Sequence, residues 1–218
     1  MKKILFILKK RMSYGSYNFY GVSYGLINSA KFVAKELNKL PRVEAKVIEV
    51  DDNNVIDREV TAFKPDVVII EALWVVPEKM KVLIRLHPKV EWIIRLHSKP
   101  AFIANEGIAF DWIGDYVKIG KLTGKLQVSS NNKEFADYLT DLYKEEVSYT
   151  PNVYPDVWRF NPRKPVGDTI DIGCFGSLRP MKNHVTQAIA AIAFARSIGK
   201  NLRFHINSDR IEQKGDTV

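Results

Sequence analysis

The chain has 218 residues, of which 46% are hydrophobic, 27% charged and 11% aromatic, a composition that excludes intrinsic disorder, collagen and coiled coils. Its single cysteine, Cys174, excludes an intramolecular disulfide framework and is typical of proteins in a reducing cytoplasm. The formal net charge of +8 favours anionic partners, among them nucleotides, phosphates, nucleic acids and acidic lipid headgroups.

The first apolar run, residues 4–8, is interrupted at once by Lys9-Lys10-Arg11. A secretory signal needs about 7–15 apolar residues before its cleavage site, and a membrane-spanning helix needs about 20. The run is therefore predicted to be a buried first strand, and we expect the protein to be cytoplasmic.

Short apolar runs alternate with longer stretches of helical periodicity, which is typical of a parallel sheet with crossover helices. An apolar stripe at helical spacing between residues 26 and 37 predicts the first helix, which is closed by Pro41. Further helices are predicted at 53–62 and 135–143, and strands at 3–8, 44–50, 67–73, 92–96 and 126–129. The pattern predicts an α/β domain, a doubly wound Rossmann-like parallel sheet, over residues 1–150.

Residues 151–168 are dense in proline and turn-forming residues, which indicates a linker. The alternation then resumes with a strand at 169–175, a helix at 183–197 and a strand at 202–206. The helix is expected to bury one apolar face, formed by Val185, Ala188, Ile189, Ile192 and Ala193. Residues 169–218 are predicted to begin a second Rossmann-like domain. Because a lone β-α-β unit cannot cover its own sheet edges, we expect a truncated piece of a longer protein.

The turn between this strand and helix is the most informative stretch. Gly176 permits close approach of a ligand to the backbone, Asn183 is a favourable N-cap, and the free amides behind it favour an anion. Arg179 and Lys182 add positive charge, so the turn is predicted to bind a diphosphate. The alternative is an ordinary turn whose two cations face solvent. Neither a Walker loop nor a Gly-x-Gly-x-x-Gly pattern is present, and without clustered ligands no metal site is expected.

A resemblance to a known family rests on the junction between the two predicted domains. Residues 150–160, Thr-Pro-Asn-Val-Tyr-Pro-Asp-Val-Trp-Arg-Phe, the strand at 171–176 and the helix start at Lys182-Asn183 resemble the domain junction of GT-B-fold glycosyltransferases. The chain is most similar to the phage and bacterial branch of nucleotide-sugar transferases (group 1/4-like), over essentially its whole length. The resemblance implies metal-independent transfer of a sugar from a nucleotide-diphosphate donor to a carbohydrate or other hydroxyl acceptor.

The resemblance also implies a nucleotide-sugar-binding site in the second domain. Gly176 and Lys182 match the glycine and lysine that contact the donor diphosphate. The position of the family's arginine holds Ser177, a departure for which Arg179 is expected to substitute. With Asn183, these residues are expected to hold the donor pyrophosphate in the gap between the two Rossmann-like halves.

On the side of the first domain, His97 follows the predicted 92–96 strand and is similar to the histidine that faces the transferred sugar, which makes it the candidate catalytic residue. Without the resemblance, a histidine in this place is more often structural. Gly15, Gly21 and Gly25 fall in or near the first βα loop, which in the family approaches the donor phosphates and the acceptor. Glu71, inside an apolar run, is either buried and paired or lines the site, and the sequence leaves both open.

The family's Glu-x7-Glu pair, whose second glutamate holds the donor ribose, is absent. Glu36 and Glu44 have that spacing but straddle a helix end and a strand of the first domain. We therefore expect these 218 residues alone to transfer sugar poorly or not at all. The second hypothesis is a non-catalytic module that binds a nucleotide or glycan, or assembles with a partner.

The positive charge raises the question of two other kinds of partner, nucleic acids and anionic membranes. The aromatic stretch at 14–20, preceded by basic residues, is a weaker indication of a single-stranded nucleic-acid surface. Because such sites usually spread basic residues along a groove, no nucleic-acid partner is expected. The basic surface is compatible with peripheral contact at an anionic membrane.

Overall fold

The computed structural model describes residues 1–10, 24–104, 107–154, 167–175 and 182–206. These residues fall in two compact units: those up to 154 belong to the first unit and those from 167 onward to the second. Gly15, Gly21, Gly176, Ser177 and Arg179 lie outside the described residues.

The first unit is an α/β fold with a six-stranded parallel sheet in the order β2-β1-β3-β4-β5-β6, so the prediction of a Rossmann-like sheet is confirmed. Its strands are β1 (Lys2–Lys9), β2 (Val43–Val50), β3 (Val67–Glu71), β4 (Glu91–Leu96), β5 (Leu126–Ser130) and β6 (Ser148–Tyr149). Its helices are α1 (Tyr24–Leu37), α2 (Val55–Phe63), α3 (Pro77–Leu86), α4 (Pro100–Ala104), α5 (Ala109–Thr123) and α6 (Lys133–Tyr143).

Helices cover both faces of this sheet, which explains why its strands have continuous apolar runs. Phe6 and Leu8 of β1 pack on one face against α1. Leu5 and Ile7 point to the opposite face, into the main core built with α2, α3, α5 and α6. Trp92 of β4 is fully buried in that core.

The strand order reverses at β1, because the chain adds β2 on one side of β1 and β3 on the other. In open α/β sheets, ligands bind outside the carboxyl ends of the strands at such a reversal. Glu71 is the last residue of β3 and therefore lies at this edge.

The second unit pairs two parallel strands, β7 (Thr169–Cys174) and β8 (Asn201–Ile206), which are joined by helix α7 (His184–Ser197). The predicted β-α-β unit is present, and the Cys174 thiol is buried.

The predicted buried face of α7 is wrong. Val185 and Ile189 are 75% and 61% exposed, and Ile192 is also exposed, whereas Ala191 and Ala195 are buried. Small side chains let the helix axis approach the two-stranded sheet closely, which leaves the larger apolar residues on the outside. No helix among the described residues combines the length and the apolar character needed to cross a bilayer.

Candidate active site

A buried ion pair links the carboxyl ends of β3 and β4. Glu71 and Arg95 are partners in the register of these parallel strands, and the two residues are 0% and 2% exposed. Arg95 Nη1 lies 3.2 Å from Glu71 Oε1 and 3.5 Å from Oε2. Since a charge buried without a partner is strongly disfavoured, each residue of the pair depends on the other.

The rest of the Arg95 guanidinium holds the chain segment that follows β6. Its Nη2 donates to the carbonyl oxygens of Thr150 (3.2 Å) and Pro151 (2.9 Å) and to Asn152 Oδ1 (3.1 Å). Nε also donates to the Thr150 carbonyl at 3.3 Å. Arg95 therefore ties residues 150–152 to the middle of the sheet.

His97 joins the same cluster one residue beyond the end of β4. Its Nε2 is hydrogen-bonded to Glu71 Oε2, and its side chain is 14% exposed. Its other ring nitrogen, Nδ1, faces the Asn131 amide nitrogen at 3.4 Å. The candidate catalytic histidine is thus bonded to a buried carboxylate, while its own side chain is not completely buried.

Asn152 connects this cluster to helix α1. Its Oδ1 accepts from Ser29 Oγ at 2.8 Å, in addition to the guanidinium of Arg95. Asn131 Nδ2 lies 3.5 Å from the same oxygen. Through this one amide, the histidine cluster is continuous with the first turns of α1.

Backbone strain lies directly next to the buried carboxylate. Ala72, which follows Glu71, has φ = 69°, a left-handed conformation that is unfavourable for residues other than glycine. Two hydrogen bonds hold the backbone here: Ala72 N–H donates to the Arg95 carbonyl at 2.9 Å, and Trp74 Nε1 donates to the Glu71 carbonyl at 3.0 Å. Strain of this kind is concentrated at functional sites.

A groove of about 200 Å³ lies between α1 and the segment 152–154. Asn28, Ser29 and Phe32 line it from the helix, and Asn152 and Tyr154 line it from the segment. The rings of Phe32 and Tyr154 are 6.4 Å apart and tilted by 52°. Since Asn152 belongs to both features, the groove adjoins the histidine cluster.

At the predicted donor site, the structure describes only Lys182 and Asn183. Both are exposed. Asn183 occupies the predicted N-cap position of α7, but its backbone is left-handed (φ = 53°) and its side chain makes no capping hydrogen bond. Its carbonyl instead accepts from Gln187 N–H at 2.9 Å, and the Gln187 side chain donates to the Lys182 carbonyl at 2.7 Å.

The next residue carries a feature that sequence reasoning missed. Both ring nitrogens of His184 are buried, and they have no hydrogen-bond partner in the part of the chain that the structure describes. Nothing in the sequence distinguished His184 from an ordinary solvated or structural histidine.

Sequence reasoning identified His97 and left Glu71 open between two alternatives, of which burial with a partner is confirmed. It missed Arg95, Asn131 and the hydrogen-bonding role of Asn152. A signal for Arg95 existed, because it stands near the end of a predicted strand whose neighbour ends in a buried carboxylate. The described residues contain no group of three or more His, Cys, Asp or Glu side chains placed to hold a metal ion.

Comparison with known proteins adds no relative: no protein-family model matches the chain, and no curated protein matches it significantly.

Proposed function

We propose that the protein is a glycosyltransferase that moves a sugar from a nucleotide-diphosphate donor to a hydroxyl acceptor without a metal ion. The observation that carries this proposal is His97, a partly exposed histidine bonded to a fully buried carboxylate at the carboxyl edge of a Rossmann-like sheet. This edge is where such sheets bind ligands, and a histidine held by a carboxylate is a recurring catalytic arrangement.

Glycosyl transfer releases a nucleoside diphosphate, whose developing negative charge needs compensation. Cations and backbone amides at a helix start supply this in the absence of a metal ion. Lys182 is exposed, so its ammonium group is within reach of a ligand from solvent. In the proposal, Lys182, Arg179 and the amides at the start of α7 hold the diphosphate, together with Gly176 and Ser177.

The groove beside Asn152 supports a carbohydrate acceptor. Aromatic rings pack against the C–H faces of sugars, and amide side chains both donate to and accept from hydroxyl groups. Phe32 and Tyr154 supply the rings, and Asn28 and Asn152 supply the amides. A groove of about 200 Å³ is below the usual 300–1,000 Å³ of ligand pockets, which favours a single sugar ring over a larger ligand.

Isothermal titration calorimetry with UDP-, GDP- and dTDP-sugars tests the proposal. We expect one of these donors to bind, and the double variant Arg179→Ala/Lys182→Ala to weaken binding by at least about 100-fold, since each charged hydrogen bond contributes about 1.5–3 kcal/mol. The matched control, Arg196→Ala/Lys200→Ala, removes the same two charges at the opposite end of α7 and should leave affinity within about twofold.

Equal affinity of the wild type and the Arg179→Ala/Lys182→Ala variant would overturn the donor assignment. Transfer of sugar to any hydroxyl acceptor, even at a low rate, would favour the transferase over the second hypothesis, a nucleotide-binding module.

A further inference from the structure

We propose that Glu71 is a positioning residue for His97. It keeps the imidazole neutral with its proton on Nε2, so that the lone pair on Nδ1 is the atom that accepts a hydrogen bond from a substrate hydroxyl. The role of the substrate hydroxyl rests on the proposed function; the protonation state assigned to His97 does not.

The charges around His97 balance one another only when its ring is neutral. Among the described residues, the charged groups that contact one another around His97 are Glu71 and Arg95. The single negative charge of Glu71 is already matched by the guanidinium, and both groups are almost completely removed from water. A protonated His97 would leave this buried cluster with a net positive charge, which burial disfavours. His97 is therefore neutral.

The hydrogen bond to Glu71 determines which nitrogen of the neutral His97 ring carries the proton. An ionised carboxylate only accepts hydrogen bonds, so the nitrogen that bonds to it must carry the hydrogen. That nitrogen is Nε2, which contacts Glu71 Oε2. Nδ1 is then unprotonated, and the amide of Asn131, whose nitrogen lies 3.4 Å away, faces it with its donor.

In the proposal, Nδ1 of His97 remains available to a ligand. The contact between Asn131 and Nδ1 is long for a hydrogen bond, and the same amide nitrogen is shared with Asn152 Oδ1 at 3.5 Å. The His97 side chain is 14% exposed, whereas its carboxylate partner is fully buried. The exposed fraction of His97 and the long contact at Nδ1 together leave Nδ1 as the less engaged of the two ring nitrogens.

Glu71 is well suited to this role because it cannot move easily. Arg95 engages its carboxylate, Trp74 engages its carbonyl, and the strained Ala72 backbone follows it. A carboxylate fixed in this way orients the imidazole as well as selecting its tautomer, which is the usual effect of a hydrogen-bonded partner on a functional histidine.

The test is a ¹⁵N NMR measurement of the His97 ring nitrogens in the full chain at neutral pH, assigned with a His97→Gln variant. The proposal predicts a protonated-type shift for Nε2 and an unprotonated-type shift for Nδ1. A proton on Nδ1, in either the other tautomer or the doubly protonated ring, would overturn it.

The variant Glu71→Gln makes a sharper prediction. Its amide has one oxygen, which the guanidinium of Arg95 takes, so the amide nitrogen is turned toward His97 and donates to Nε2. The ring proton is then expected to move to Nδ1. With Nδ1 no longer an acceptor, the transfer rate should fall by about 10² or more, while donor affinity stays within about twofold.

Two further variants keep the test decisive. Asp57→Asn is the matched control, since Asp57 forms a second hydrogen-bonded carboxylate–histidine pair among the described residues, with His87 Nε2 at 2.7 Å, and it should leave the His97 ring unchanged. If Glu71→Gln does not fold, Glu71→Met/Arg95→Met removes both buried charges together, leaves Nε2 without an acceptor, and should likewise lose the single Nε2–H tautomer. A folded variant of either kind that keeps this tautomer would overturn the role of Glu71.

Failure of this inference is distinguishable from failure of the proposed function. Absence of nucleotide-sugar binding in the wild type contradicts the glycosyltransferase proposal and the substrate contact at Nδ1. A wrong tautomer in a chain that binds and transfers sugar contradicts only the role of Glu71.

Discussion

The two candidate functional regions of this chain treat their charges in opposite ways. At the carboxyl edge of the six-stranded sheet, Glu71 and Arg95 are removed from water and paired with each other. At the start of α7, Lys182 and Asn183 are exposed, and the helix has no side-chain cap.

At the Glu71–Arg95 pair, folding alone neutralises the charges. At the start of α7, the charge of Lys182 would be neutralised by a bound anion. Charges buried in pairs contribute to a fixed geometry and make the fold depend on them. Exposed cations at a helix start contribute little to stability and keep their charge for an anion. Substitutions at the buried pair should therefore change stability, and substitutions at the start of α7 should change ligand affinity.

The largest expected effect is on stability, from Arg95→Leu. This change leaves the Glu71 carboxylate buried without its cation and frees the carbonyls of Thr150 and Pro151, so we expect a loss of about 3–5 kcal/mol in the free energy of unfolding. Lys182→Ala, in the exposed region, should change it by no more than about 0.5 kcal/mol. Urea unfolding followed by circular dichroism measures both, and equal losses would contradict the comparison.

The next effect is on activity, from His97→Ala. Removing the imidazole should lower the transfer rate by about 10² or more with little change in donor affinity. Lys182→Ala should do the reverse and weaken donor binding by about tenfold or more, because it removes a charged hydrogen bond to the diphosphate. Radiolabelled sugar transfer over long incubations and calorimetry separate the two quantities, and a loss of affinity in His97→Ala alone would argue against this division.

A smaller effect is expected where backbone strain adjoins the buried pair. Ala72→Gly relieves a left-handed conformation that costs roughly 1–2 kcal/mol, less the added freedom of glycine in the unfolded chain, so stability should rise by about 0.5–1 kcal/mol. Lys64→Gly is the control, because Lys64 has a similar φ of 55° at the end of α2, away from the cluster. Both variants should unfold at a higher temperature than the wild type. Only Ala72→Gly, which adjoins the His97 cluster, should lower the transfer rate. An unchanged transfer rate in Ala72→Gly would show that the backbone strain has no part in function.

The smallest effect belongs to the exposed sheet face of the second unit. The hydrogen bond from His205, assisted by the charge of Arg203, lowers the pKa of Asp171 below its usual value despite some desolvation. Because the pKa of Asp171 is lower in the folded than in the unfolded chain, its ionised form stabilises the fold at pH values above the unfolded-state pKa. This stabilisation is lost as the pH falls through the folded-state pKa. A ¹³C NMR titration of the Asp171 carboxyl should show its pKa rise in His205→Ala; the same pKa in both proteins would contradict the assignment.

Much of the fold could be predicted because parallel strands need apolar residues on both faces. β1, β3 and β4 stand out for this reason, and Asn183 and Pro41 lie close to real helix boundaries. Helix α5 escaped prediction, since Gly114 and Gly120 interrupt its periodicity. Gly120 is needed there, because a Cβ would lie 2.2 Å from the Leu126 carbonyl oxygen of β5.

The site was less predictable because its contacts are distant in sequence. Pairing Glu71 with Arg95 requires knowing that β3 and β4 are neighbours in register, which no local pattern encodes. Placing Asn152 against both Arg95 and Ser29 requires the path of the chain after β6. His97 could be singled out from its position after a strand, but its carboxylate partner could not.

The most direct test of the account follows the ¹⁵N signals of the His97 ring during titration with the nucleotide sugar that binds in calorimetry. The account predicts a saturable shift at Nδ1, while the ring of His87, which is held by Asp57 in the same unit, stays unchanged. A donor that saturates the chain without moving the His97 signal, or that moves both histidines equally, would contradict the claim that His97 faces the substrate.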